Sequence, residues 1–439
     1  MDPHFDPAPT EAWWKAIDRE LKGNPRSGLF VDWTPDAQSP PFHDWSTPRP
    51  TEPLFAERYW GVTAEVGGTE SQINTELLDA LNRGADHLLL DLRPHYRLET
   101  VLEGVQIELL RTELIVEGDP RPMARQWTEL CDHRGLDPAS MRAGINFDPW
   151  EVQYRTGKPA LGEAEVREIV VALSQHPGFD RSLAVNTAIY AERGAGPALQ
   201  LAIALATAQE IVRTLGDCPA HRFWFGMANG PDFLVETAKL RAFRALWAHF
   251  IQAHQTSFAP AHLLCETARR GWSALDPHGN LIRATTQGLS GVLGGADEVL
   301  MRHHWLSSAP ASEHHLDFQL LHLIRYEAQF NLCGDVLAGA YTVEYLTETL
   351  AGKAWERFLE IERQGGLEKV IEQGLLSEWI RTEAAEEQAR FEQGLRPVIG
   401  SSVYPHRENG IDLDALGRAD QLGLERLAAA IERQYLEAR

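Results

Sequence analysis

A chain of 439 residues, 44% hydrophobic and 24% charged, can bury a substantial core, and no low-complexity break divides it, which fits one large domain with terminal extensions better than several small ones. Its formal charge of −22 opposes binding to nucleic acid or anionic lipid, because each phosphate would meet a repulsive mean field; a local basic pocket for a nucleotide is still compatible with it. Cys131, Cys218, Cys265 and Cys333 lack zinc spacing, no apolar export segment opens the chain, and no run approaches the ~20 apolar residues of a membrane span, so a reduced, cytoplasmic setting is expected.

In chain order, residues 11–21 read as an opening helix, followed to about residue 50 by a stretch holding Pro35, Pro40, Pro41, Pro48 and Pro50. Proline fixes φ and removes a donor, which predicts an extended arm lying on a surface. Trp13, Trp14, Phe30, Trp33, Phe42 and Trp45 are too many aromatics for a free linker. They need cover, from this chain's own body or from another subunit. From about residue 56, apolar strands expected over 87–92, 143–147, 183–187, 222–227, 261–265, 298–301 and 398–403 alternate with helices such as 71–83, 199–215, 232–254, 281–293 and 345–361. Strand-then-helix repetition implies parallel strands joined by right-handed crossovers, so an α/β fold, a (β/α)8 TIM barrel, is the leading architecture, with an open doubly wound sheet as the physical alternative. The expected plan is 1–55 N-terminal helix and arm, 56–404 barrel, and 405–439 polar linker with a final helix over 422–435.

One run stands out, D-P-H-G-N-L-I-R-A-T-T-Q-G-L-S-G-V-L-G-G-A-D from Asp276 to Asp297. Asp276 to Gly279 read as a turn and Asn280 as a helix N-cap; Leu281, Thr285, Leu289 and Val292 share one helical face. Gly294-Gly295 ends the helix where close backbone approach or positive φ is needed. The run resembles D-P-x-x-N-x-x-R-T-T-x-E-A-x-x-A-V-L-G-G of the methylmalonyl-CoA mutase family. Residues 232–247 resemble that family's F-F-x-E-I-A-K-L-R-A-x-R-x-L-W, and residues 338–366 its G-G-S-Y-Y-V-E-x-L-T and A-W-x-x-F-x-x-I-E-x-x-G-G blocks. Weaker similarity runs from Trp13-Trp14 to Val398-Ile399-Gly400, so nearly the whole chain is covered, and the resemblance favours the barrel.

In that family the barrel holds acyl-CoA along its axis and faces a C-terminal domain whose D-x-H-x-x-G loop binds cobalamin. The D-x-H triplets of this chain, at Asp2 to His4 and Asp276 to His278, carry Pro7 and Leu281 at the glycine position. The resemblance therefore implies the small, non-catalytic (beta) type without that domain, binding no cofactor itself. Active members carry G-Y-H-M-Q-E-A-G-A, whose histidine hydrogen-bonds the substrate carbonyl. Aligned on Gly194-Ala195, Ile189 stands at the histidine and Ala188 at the tyrosine, and neither side chain can donate; under a one-residue offset Tyr190 would supply a donor. Within the family's H-C-Q-T-S-G-W-S, Leu264 replaces histidine and Glu266 replaces glutamine. The R-Q-Y-A-G-F-S region is represented by residues 57–63 or 63–68, with no secure tyrosine.

Ala188, Ile189, Leu264 and Glu266 thus occupy family active-site positions without the needed groups, and no catalytic, cofactor-binding or metal residue is expected. The pairs His303-His304 and His314-His315 would point apart on a strand, with no carboxylate to complete a ligand set. Lys239, Arg241 and Arg244 either touch CoA phosphates or, as usual on an outer helix, pair with Glu236 or solvent. Tyr341 and Asp335 read as remnants of a substrate-facing strand end, and Trp224 and Phe225 as barrel core. The resemblance implies a non-catalytic barrel paired, as a heterodimer, with a mutase large subunit that carries adenosylcobalamin and interconverts methylmalonyl-CoA and succinyl-CoA in propionate metabolism, and it implies an axis plugged by side chains. Alternatives are an acyl-CoA-binding barrel served by a separate cobalamin-binding subunit, or a structural or regulatory homodimer without mutase activity.

Overall fold

The computed structural model describes residues 10–35, 37–43, 53–56, 59–93, 96–159, 161–306, 316–332, 334–405, 417 and 425–437. Among them, eight parallel strands follow one another around a barrel: β1 (Gly61–Val66), β2 (His87–Asp91), β3 (Arg111–Ile115), β4 (Arg142–Asn146), β5 (Leu183–Asn186), β6 (Phe223–Asn229), β7 (Leu263–Thr267) and β8 (Glu298–Leu300). The hydrogen-bonded order is β4-β3-β2-β1-β8-β7-β6-β5. The remaining seam, between β4 and β5, is closed by a Gly144–Arg181 bridge in which Ile145 N donates to Arg181 O at 3.1 Å and Arg181 N to Ala143 O at 3.2 Å. This is the expected (β/α)8 barrel.

Two of its strands, β1 and β3, escaped the apolar-run reading. Residues of one strand alternate between lumen and helix layer, and the lumen positions of these two include Thr63, Glu65, Arg111 and Glu113, which break the apolar pattern. Residues 398–403 form no strand. Gly400, with φ of +85°, turns the chain so that Gly400 N reaches Val403 O at 2.8 Å and Ser401 N reaches Val398 O at 3.1 Å.

Among the helices are α1 (Thr10–Leu21), α2 (Glu70–Asn82), α3 (Arg121–His133), α4 (Glu163–Ser174), α5 (Pro197–Leu215), α6 (Phe233–Ala253), α7 (Pro277–Gly294), α8 (Leu316–His322), α9 (Tyr341–Arg363), α10 (Leu375–Glu392) and α11 (Ala429–Glu437). None among the described residues is long and apolar enough to cross a membrane. The start of α11 at Ala429 shortens the helix expected over 422–435, whose residues 422–424 lie outside the described set. The true cap of α7 is Asp276, whose Oδ1 accepts from Gly279 N at 2.9 Å. Asn280 is instead buried inside the helix, tying Ser273 and the His304 carbonyl. The buried side of α7 comprises Ala284, Gln287, Gly288, Ser290, Gly291 and Val292, so small residues rather than Leu281, Thr285 and Leu289 define it. A Cβ at Gly291 would sit 2.7 Å from Cys265 Sγ, and one at Gly294 3.0 Å from Leu240 Cβ. Gly295 adopts φ of +93°. Close approach and positive φ are thus met by successive glycines.

The arm lies partly on this chain. A short antiparallel hairpin pairs Val31–Thr34 with Ala37–Ser39; Ala37 and Ser39 are buried, Trp33 donates to Ser39 Oγ at 2.9 Å, and Arg390 of α10 donates to Asp32 O. By contrast α1 buries none of its residues. Its Trp13 packs on Trp14 and Phe42, while Trp45 lies outside the described residues.

Candidate functional site at the barrel mouth

Lumen side chains stack in layers along the axis, as barrels of this class require. At the N-terminal end the layer is ionic. Glu298 accepts from His262 Nε2 at 2.6 Å and faces His87 Nδ1 at 3.3 Å, while Arg111 grips Asp180 at 2.6 Å and Glu113 at 3.0 Å. Burial would raise Glu298, but the His87 and His262 imidazoles hold it well below the usual carboxylate range. Glycines make the room: a Cβ at Gly61 would strike the His87 ring, and one at Gly144 the Glu113 carboxylate. Above this, Leu89, Ala184, Trp224, Leu264 and Leu300 form one buried cluster with Ile115 packed on it. These side chains come from six strands and fill the axis, so the plugged lumen expected from the sequence is present. Phe225 faces the other way, into the helix layer against Phe243 and Trp247.

The C-terminal mouth opens over that plug, a space of about 1640 Å³ including open solvent. Ala188, Ile189, Leu264 and Glu266 all line it, so the four positions singled out from sequence converge on one surface. Ala188 and Ile189 bring only carbon side chains, and the Ala188 N–H is already given to Asn186 Oδ1 at 3.0 Å. Tyr190, the donor of the offset alternative, does not line the mouth: it is 1% exposed and its ring packs on Tyr154. Of the two registers considered near β1, Glu65 and Gly67 reach the mouth, whereas Tyr59 sits at the opposite end, bonded to Asp86 and Arg325.

Every arginine lining the mouth already has a carboxylate. Arg93 holds Asp91, Arg155 holds Glu151 and Glu117, Arg269 approaches Glu192 at 3.8 Å, and Arg302 joins Glu65 to Glu266 across the opening. Burial pulls the Arg302 guanidinium down to about 10, which leaves it cationic at neutral pH. Burial and then the Glu192 carboxylate push Glu266 upward, a push the nearby Arg269 guanidinium opposes. Asp148, which accepts from Glu151 N and Asn186 N, each at 3.0 Å, is driven up to about 7 by burial. A strand-end rim whose cations are already neutralised offers no ready phosphate site.

Arg302, Asp148 and Asn186 went unread in the sequence; their shared signal is position, immediately at or after a strand's C-terminal end. The basic residues of α6 are structural. Lys239 Nζ is fully buried between Glu236 at 2.5 Å, Ala228 O at 2.6 Å and Gln200 at 3.0 Å. Arg241 pairs with Asp335 and Glu344, and Arg244 with Asp297 at 2.9 Å. Asp335 and Tyr341 therefore belong to no substrate-facing strand: the first is a buried ion-pair partner and the second opens α9. Nor do His303 and His304 sit on a strand, and Asp317 supplies the carboxylate that the sequence reading lacked. His314 and His315 lie outside the described residues.

Known proteins place this barrel. A methylmalonyl-CoA mutase small subunit of Streptomyces virginiae is 29% identical over 85% of this chain, and one of Porphyromonas gingivalis is 25% identical over 92%. A large subunit from Streptomyces virginiae is 27% identical over 70%. The chain spans 63% of the length of the first of these relatives, 70% of the second and 44% of the third. The family pattern described as methylmalonyl-CoA mutase matches residues 93–434, and the chain belongs to that family.

Proposed function

We propose that this chain is the non-catalytic barrel subunit of a heterodimeric, adenosylcobalamin-dependent methylmalonyl-CoA mutase. The observation that carries the reading is the mouth: family active-site positions gather there as Ala188, Ile189, Leu264 and Glu266, over a lumen filled by Trp224 and its neighbours. A pantetheine arm has no path along that axis, and a thioester carbonyl would find no donor from Ala188 or Ile189. Nor do these residues fit the cofactor, which is assigned to the partner. Bound there, adenosylcobalamin would supply the radical that starts the 1,2-shift between methylmalonyl-CoA and succinyl-CoA.

The small-subunit relatives support the assignment, since they align over 85% and 92% of this chain against 70% for the large subunit. So does α1, none of whose residues is buried and whose Trp13 and Trp14 are only partly covered, a surface that suits an intersubunit contact. Co-expression with a large mutase subunit from the same source is expected to give a co-purifying complex with adenosylcobalamin-dependent turnover, and this chain alone none. Isomerisation of methylmalonyl-CoA by this chain alone, or with only a small cobalamin-binding protein, would overturn the proposal.

A further inference from the structure

Just past the end of β8, and outside the residues lining the mouth, three metal-ligating side chains meet. His303 and His304 follow Arg302, and Asp317 is the second residue of α8. One donor atom from each lies within 4.8 Å of the other two. His304 is fully buried and Asp317 7% exposed. Asp317 Oδ1 is buried and has no hydrogen-bond partner among the described residues, a costly state for a carboxylate oxygen. It stands 3.7 Å from His304 Nδ1, too far for a hydrogen bond. Two ligands bonded at about 2.1 Å to one tetrahedral ion stand about 3.4 Å apart, so a small inward movement of either side chain would serve an ion between them.

The second imidazole is held nearby. The His303 ring stacks on that of His304 with centroids 4.6 Å apart and planes 25° apart. Its Nδ1 accepts from Trp305 N at 3.2 Å, a long bond that ligation through the same atom would replace. Asn280 Nδ2 donates to the His304 carbonyl at 3.2 Å, fixing the backbone from which both rings project.

We propose that His303, His304 and Asp317 bind one divalent transition-metal ion, with Zn2+ as the best match to two imidazoles and a carboxylate. Solvent completes the coordination, and the chain's charge of −22 favours uptake of a cation. The ion fastens the segment leaving β8 to α8, one residue beyond the arginine that joins Glu65 to Glu266. Its role is structural and independent of any partner subunit.

The test is calorimetric titration of the chelator-stripped full chain with ZnCl2, with thermal unfolding followed in parallel. One saturating equivalent and a rise in Tm are expected, with affinity at least about tenfold weaker in Asp317→Asn and in His303→Ala. The chain holds 17 histidines, so the variants decide location. His303 is only partly buried, so its alanine variant decides the matter if Asp317→Asn misfolds. No saturable Zn2+ binding, or wild-type affinity in the variants that fold, would overturn the proposal.

Discussion

Arg302 is the single cation joining Glu65 to Glu266 across the mouth, and removing it would leave two carboxylates facing each other over an apolar floor. Arg302→Met is expected to destabilise the chain by about 2–4 kcal/mol near pH 7.5. The loss should shrink near pH 5, where Glu266, pushed up by burial, takes up a proton; urea unfolding at the two pH values measures it. Asp148 gives a second pH signature. Its folded value near 7 exceeds the ~3.9 of an unfolded aspartate, so its contribution to stability falls as pH climbs from about 4 to about 7 and is level above that. Asp148→Asn lacks this fall, and its stability relative to wild type should improve by a few kcal/mol across that window. A difference that does not vary with pH would refute the assignment. Gly194 explains why family residues persist beside the substituted ones: with φ of +93°, an added Cβ would meet Ala384 Cβ at 2.6 Å. That glycine serves the docking of α10, so its retention reports scaffold rather than chemistry. Ala188 and Ile189 were legible from Gly194 for the same reason. Asp317 was not, because nothing local ties it to His303 and His304 before the chain folds.

At the scale of elements, α7 shows why periodicity locates a helix better than its buried face. The apolar positions Leu281, Thr285 and Leu289 are only partly buried, and the face that meets the neighbours is cut from glycine, alanine and serine so that helix and strand can approach closely. Gly291→Ala is expected to cost about 1–3 kcal/mol, because its Cβ meets Cys265 Sγ at 2.7 Å. Gly352, exposed within α9 and with nothing within 4 Å of an added Cβ, gives the opposite sign. Gly352→Ala should stabilise by about 0.5–1 kcal/mol through helix propensity, and denaturant midpoints of the two variants separate the cases. The strands followed the same logic. β6 and β7 are buried throughout and had left apolar runs to read. β1 and β3 carry charges whose placement in the lumen no local pattern announces.

For the whole molecule, the distribution of buried surface separates what the chain needs for itself from what it offers outward. The hairpin of the arm packs through Ala37–Ser39 on α9 and is tied to α10 by Arg390, but α1 buries none of its residues. Trp13→Ala is therefore expected to leave the unfolding free energy of the isolated chain within about 0.5 kcal/mol of wild type while weakening co-purification with the large subunit in a pull-down. Loss of stability in the isolated chain would place that helix on its own barrel instead.

The ionic layer at the N-terminal end of the lumen has a consequence for assembly. A strand that slipped by one residue would turn every side chain to the opposite face, sending Glu298 into the apolar helix layer without His87 and His262, or the Arg111–Glu113 pair there without Asp180. The layer thus acts as a key that only the native stagger of strands can turn. It matters most at the β4–β5 seam, where a single bridge closes the ring. Apolar replacements at Arg111, Glu113 and Glu298 could match the wild type in stability and still lose that proofreading.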